Sequence, residues 1–290
     1  MQEATVCAAA AMLLEAIVQD IYAGEEESKA AWRASCQEAL MEGLLQDDDT
    51  WRQNLYVYAL PILFRTNANT CYDMLTCITA DSLESDHKIA AVLGVLKAGR
   101  SMKLVDDLNA LVQSEAPGQS ATPAIPMEVL RAAMSHEKDA VRVTCMELAC
   151  THPRTSTLPG TVEISLIQEG LVNGMRCTSS STRHKVVALL KKLLARIYDG
   201  CSAIQNHAVM RSKGHTSGRV GRRQLRLLKG SYGAGHDAPE VEDGAASAVE
   251  AAACEAAERF MQWLTRFALG SLYPGAPYER KYMAIDVLLA

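Results

Sequence analysis

Phosphate binding is the chemistry for which this sequence offers the most residues. Arg211, Lys213, Arg219, Arg222, Arg223, Arg226 and Lys229 fall in a stretch with no acidic residue between Ile204 and His236. Cations at that density attract phosphate through charge alone. A solvated, disordered insertion or a nuclear-localisation-like run would carry the same composition, and only Tyr232 is interleaved as an aromatic, which weakens a base-stacking role. A second group follows from helical geometry. At 100° per residue, Lys185, Lys192 and Arg196 point within about 20° of one direction, beside an apolar stripe of Val186, Leu190, Leu193 and Ile197. One side would pack, and the adjoining ridge would face water or the phosphates of an RNA. Arg280 and Lys281, just beyond a proline-rich turn, make a third and smaller candidate for RNA contact.

Bond-making chemistry has no comparable support. The sequence contains no G-x-S-x-G, no H-E-x-x-H and no P-loop, and Gly230, Gly233 and Gly235 follow a basic stretch instead of the strand that a cofactor turn requires. Seven histidines stand singly, without a second His or Cys at ligand spacing on the same helix. His136 suits a hydrogen-bonding role at a helix terminus better than that of a general base. The expectation is a chain with no catalytic residue, no cofactor and no metal, and not an enzyme. Nine cysteines without a C-x-x-C pair indicate neither zinc nor a disulfide framework. Most of them occupy apolar helical positions, as Cys145 does beside Val141 and Leu148, and read as small buried hydrophobes of a reducing compartment, cytoplasmic or nuclear.

The elements that must carry these residues are helical. Of 290 residues 49% are hydrophobic and only 5% aromatic, with Ala, Leu, Met, Glu and Lys throughout, which favours helix over sheet. The formal net charge of −5 excludes a surface that is basic all over. Met1 to Gln19 lacks a basic leader and carries Glu3 and Glu15, so it reads as an amphipathic helix, and no run of eighteen apolar residues follows.

Apolar residues return at three- and four-residue spacing across 1–113, in blocks broken at Gly24–Glu27 and Gln46–Asp49. The run Leu55 to Phe64 contains Pro61 and is expected to be a helix kinked or ended there. A Ser, Gly and Pro-rich linker spans 114–126. Helix pairs resume over 127–201: Met127, Leu130 and Met134 on one helix, Val141, Cys145 and Leu148 on the next, ending before Pro153, then Ile164, Ile167 and Leu171. Within the second, Asp139 and Arg142 are placed to pair and to brace neighbouring repeats. A long, disordered, glycine-rich loop is expected over 202–249. The segment 250–290 continues with Phe260, Trp263, Leu264 and Phe267 on one face, a turn at Tyr273–Pro277, and a last helix through Tyr278, Tyr282, Ile285 and Leu289. It ends without a cap or polar tail, as a solenoid cut between repeats would. The fold expected is therefore all-α, an armadillo- or HEAT-like solenoid of antiparallel helix pairs with one long disordered loop, and a compact helical bundle is its rival.

Three passages together carry a family resemblance. They are Ser135-His136-Glu137-Lys138-Asp139-Ala140-Val141-Arg142 with His152-Pro153-Arg154-Thr155 closing its helix; Ser179-Ser180-Ser181-Thr182-Arg183-His184 leading into Lys191-Lys192-Leu193-Leu194-Ala195-Arg196; and Ser271-Leu272-Tyr273-Pro274-Gly275-Ala276-Pro277-Tyr278-Glu279-Arg280-Lys281. In order and context, over about 126–289, they resemble the THADA family, named for thyroid-adenoma-associated protein. That resemblance implies a large armadillo-type scaffold and regulatory subunit, partnered with tRNA and with a separate tRNA 2′-O-ribose methyltransferase that modifies the anticodon loop. Such a chain would orient substrate and enzyme without making bonds itself. A generic armadillo or HEAT scaffold, an adaptor or transport receptor, is the alternative the residues leave open.

Overall fold

The computed structural model describes residues 2–22, 27–46, 48–80, 85–105, 107–112, 125–212 and 243–289. Every regular element among them is helical. In chain order these are α1 (Gln2–Tyr22), α2 (Glu27–Leu45), α3 (Asp49–Asn54), a π-helical turn (Leu55–Ala59), α4 (Leu60–Thr66), α5 (Asn69–Ala80), α6 (Asp86–Ser101), α7 (Leu108–Val112), α8 (Met127–Met134), α9 (Asp139–Cys150), α10 (Thr161–Gly174), α11 (Ser180–Ser212), α12 (Asp243–Gly270) and α13 (Tyr278–Leu288). Contacts divide the chain into two units, Met1–Asp106 with Ala121–Ala133, and Asp107–Ser120 with Met134–Ala290.

The first unit is organised around α6, which touches α2, α4, α5 and the π-turn. Six consecutive residues of α6, Ala91 to Leu96, are buried, because a helix enclosed on several sides has no face left for water. Asp48 starts α3 by accepting the N–H groups of Thr50 and Trp51 at 2.9 and 3.0 Å, which satisfies donors that a helix start leaves open. Pro61 does not end the helix. The turn before it widens, with the Leu60 N–H donating to the Leu55 carbonyl five residues back. Proline supplies no N–H and its ring crowds the carbonyl four residues earlier, and a π-turn absorbs both effects without breaking the rod.

In the second unit, helices that follow one another in sequence also pack together: α9 on α10 and α11, α10 on α11, α12 on α13, with α11 also meeting α12 and α13. Short connections between touching helices impose an antiparallel course. Leu148, Leu166, Ile167, Leu171, Leu190, Leu193, Phe260 and Leu264 are among its most fully buried hydrophobes. Three boundaries differ from the sequence expectation. Leu108–Val112, expected with the N-terminal set, belongs to the second unit, where Asn109 Oδ1 accepts the Val162 N–H at 2.9 Å at the start of α10. Met127 to Ala133, expected to open the repeat core, clusters with the first unit, as do Ile125 and Pro126 from the expected linker. The segment expected as a loop over 202–249 is helical at both ends, since α11 runs on to Ser212 and helix resumes at Asp243, and its centre, 213–242, lies outside the described residues. Ala203, Ile204 and Ala253, all half-buried, continue the small, apolar inner faces of the two helices, which composition counted over a wide window hides.

A repeat that the sequence does not display as such appears in the arginines. Arg142 reaches back to the carbonyls of His136 and Glu137 and pairs with Asp139. Arg183 does the same to the carbonyls of Cys177 and Thr178, at 2.9 and 2.7 Å. Arg52 donates to the Gln46 carbonyl at 2.9 Å and pairs with Asp49. In all three the carbonyl lies six residues before the arginine, so each clamps the turn that precedes its own helix.

Candidate nucleic-acid interface

Helix α11 carries the main candidate surface. Its expected apolar stripe of Val186, Leu190, Leu193 and Ile197 is buried, and so are Val187 and Leu189. The covering is broader than one stripe because α9, α10, α12 and α13 all reach this helix. Lys185 and Lys192 are exposed, as the ridge geometry requires, and Lys191 beside them is exposed as well. Two turns of helix separate Lys185 from Lys192, about 10.5 Å along the axis, a spacing that allows each to meet a different phosphate.

Arg196 does not belong to this surface. Its side chain is 4% exposed and forms an ion pair at 2.8 Å with Glu163, itself 1% exposed. Its Nε donates to the Thr157 carbonyl at 2.6 Å and its Nη2 to the Leu158 carbonyl at 3.3 Å. Glu163 lies in the first turn of α10 and also accepts the Gly160 N–H at 3.1 Å. An angle on a helical wheel treats every level of a helix alike. At the level of Arg196, however, the connection between α9 and α10 and the first turn of α10 supply partners on the side that Lys185 and Lys192 leave to water. Burial and the Glu163 carboxylate together push the neighbouring Cys150 thiol well above its ordinary range, although Arg196 opposes them.

Arg280 and Lys281 are half-buried and hold the turn before them. Lys281 Nζ donates to the Pro274 carbonyl at 2.6 Å, and the Arg280 guanidinium lies 5.8 Å from the centre of the Tyr273 ring. Just beside them, Tyr278 and Tyr282 are 75% and 44% exposed, with ring centroids 6.2 Å apart. Exposed tyrosines next to cations are the residues a base-stacking surface uses. Sequence reasoning assigned them to an apolar helical face, and the signal available was their i, i+4 spacing beside Arg280 and Lys281. Arg219, Arg222, Arg223 and Arg226 lie outside the described residues, as does most of the linker expected over 114–126.

The remaining candidates are structural. The His136 ring is buried and its Nδ1 accepts the Lys138 N–H at 3.0 Å, a helix-terminus bond of the kind expected. Asp139 accepts the Thr182 hydroxyl at 2.6 Å and faces the Cys177 thiol at 3.6 Å, which ties the start of α9 to the start of α11. That hydroxyl, helped by Arg142 and opposed by partial burial, holds the Asp139 carboxyl below the ordinary carboxylate range. Cys71, Cys145, Cys150 and Cys177 are buried, Cys36, Cys201 and Cys254 are half-buried and Cys77 is exposed, so the expectation of buried thiols holds for about half of those described. Among the described residues, no group of acids, histidines and cysteines is placed to hold a metal ion, and no helix is long and apolar enough to cross a membrane.

Compared with known proteins, residues 32–290 match a family model described as Trm732, TPR repeats. No curated protein and no solved structure matches the chain.

Proposed function

The chain belongs to the Trm732 TPR-repeat family, and from that premise we propose that it is a non-catalytic scaffold and regulatory subunit supporting 2′-O-ribose methylation of the tRNA anticodon loop by a partner methyltransferase. The observation that carries this reading is the span of the match, which takes in all three passages that resemble the THADA family. The proposed contribution is orientation: tRNA and enzyme held on one rigid surface react as though already encountered. Lys185, Lys191 and Lys192 supply phosphate contacts that position the RNA without reading its sequence. Arg280 and Lys281 act beside Tyr278 and Tyr282, and Arg219, Arg222, Arg223 and Arg226 add charge from the basic stretch.

Within this reading the repeats are of the armadillo or HEAT kind. Arg142 and Arg183 stand 41 residues apart, nearer the roughly 40–47 residues of those repeats than the roughly 34 of a TPR. A cytoplasmic site of action fits cysteines that form no disulfide among the described residues.

The test is co-purification of the tagged chain from its own cells, reading bound protein by mass spectrometry and bound RNA by sequencing. A ribose methyltransferase recovered together with tRNA is the expected result. Partners of trafficking or nuclear transport, with no tRNA, would replace this reading with that of a protein adaptor.

A further inference from the structure

Next to the Arg196–Glu163 pair the second unit contains a cavity of about 440 Å³, within the range of sites that hold small ligands. Its walls differ in character. Along α11 and α12, Ala203, Ile204, Ala252, Ala253 and Ala256 make a shallow apolar surface. The facing wall carries the polar side chains, His152, Arg154, Ser156 and Thr157, and runs on to Gly160 and Thr161 at the start of α10.

Arg154, Arg196 and Arg259 all line the space. Arg196 is the informative one: although its side chain is 4% exposed, its Nη1 meets no partner among the described residues. A buried guanidinium N–H without an acceptor is uncommon, because nothing replaces the water it gave up. The acids of the same walls are engaged. Asp107 Oδ1 accepts both the backbone and the side-chain N–H of Asn109, at 2.8 and 2.6 Å, and Glu250 lies 3.9 Å from His207 Nδ1.

We propose that this cavity binds a nucleotide-sized phosphate ester. The phosphate is received by Arg196 Nη1, Arg154 and Arg259, and the base and ribose lie on the alanine surface. A planar ring suits a wall built largely of alanines, from which only the Ile204 side chain projects. An extended peptide would need main-chain partners along the groove, and a helical wall keeps its own N–H and C=O groups bonded internally. This ligand site goes beyond the scaffold reading and does not depend on it.

The experiment is calorimetric titration of the full chain with AMP and UMP, with adenosine and inorganic phosphate as the two halves. The expected result is a Kd for a nucleoside monophosphate at least about tenfold below that of either half, since charge-assisted bonds and apolar contact act together. Ala253→Phe, which fills the space, abolishes binding, and Arg259→Ala, at an exposed position, weakens it by about tenfold. Absence of binding by both nucleotides, or binding that survives Ala253→Phe, overturns the proposal. A 5′-phosphorylated oligoribonucleotide that competes with AMP identifies an RNA end as the source of the group, and one that does not compete identifies a free nucleotide. Retention of tRNA by the Ala253→Phe chain, measured alongside, keeps failure of this site apart from failure of the scaffold reading.

Discussion

Lys192 and Arg196 are one helical turn apart on α11 and have opposite environments. Lys192 faces water, whereas Arg196 is enclosed with Glu163. Removing one member of a buried ion pair strands the other, at a cost of about 3–5 kcal/mol. Arg196→Ala should therefore shift the urea midpoint far to lower concentration, while Lys192→Ala stays within about 0.5 kcal/mol of the parent. Equal effects of the two would contradict the burial of Arg196. A second residue-scale constraint is Gly94, where a Cβ would lie 2.0 Å from the Tyr56 ring. That ring is anchored by its hydroxyl, which donates to the Ala90 carbonyl at 3.0 Å, and burial pushes the phenol up to about 12. Gly94→Ala is expected to destabilise by about 1–3 kcal/mol through overpacking, read by thermal or urea unfolding.

At the scale of elements, the contact between α9 and α11 passes through the Asp139–Thr182 bond as well as through apolar packing. Thr182→Val keeps the shape and deletes the hydroxyl. A loss of about 1 kcal/mol is expected, at the low end for a bond to a charged group because Asp139 is partly exposed. The same change should raise the Asp139 pKa, visible in an NMR titration of its carboxyl carbon; an unmoved pKa would remove the hydroxyl as the cause. Folding depresses this pKa, so the stabilisation it brings is complete above the ordinary carboxylate value near 3.8 and is lost as pH falls through the folded value. Asp139 and Arg142 were recognisable in the sequence as a pair. That Arg52 and Arg183 close turns in the same way was not: Arg52 keeps an acid three residues before it, Asp49, but Arg183 has Ser180 there, and the partner all three share is a backbone carbonyl that no side-chain pattern records.

For the whole molecule, the scaffold reading makes a quantitative demand on tRNA binding. Each phosphate contact contributes about 0.7–0.9 to the slope of log affinity against log salt. The Lys185→Ala, Lys192→Ala double variant should bind tRNA more weakly and lose about that much slope per lysine, and an unchanged slope would remove both from the interface.

Helix positions, their apolar faces, the pairing of Asp139 with Arg142 and the poverty of catalytic motifs were all readable from the sequence by itself, since periodicity, capping and motif spacing are properties of neighbouring residues. Only the tertiary structure decided that Arg196 is a buried brace and not a phosphate ligand, that Leu108–Val112 joins the second unit, and that a cavity lies beside α10, α11 and α12. The reason is physical: whether a helical position is covered depends on which distant segment packs at its level, and residues 157, 158 and 163, which enclose Arg196, are more than thirty positions away from it in the chain.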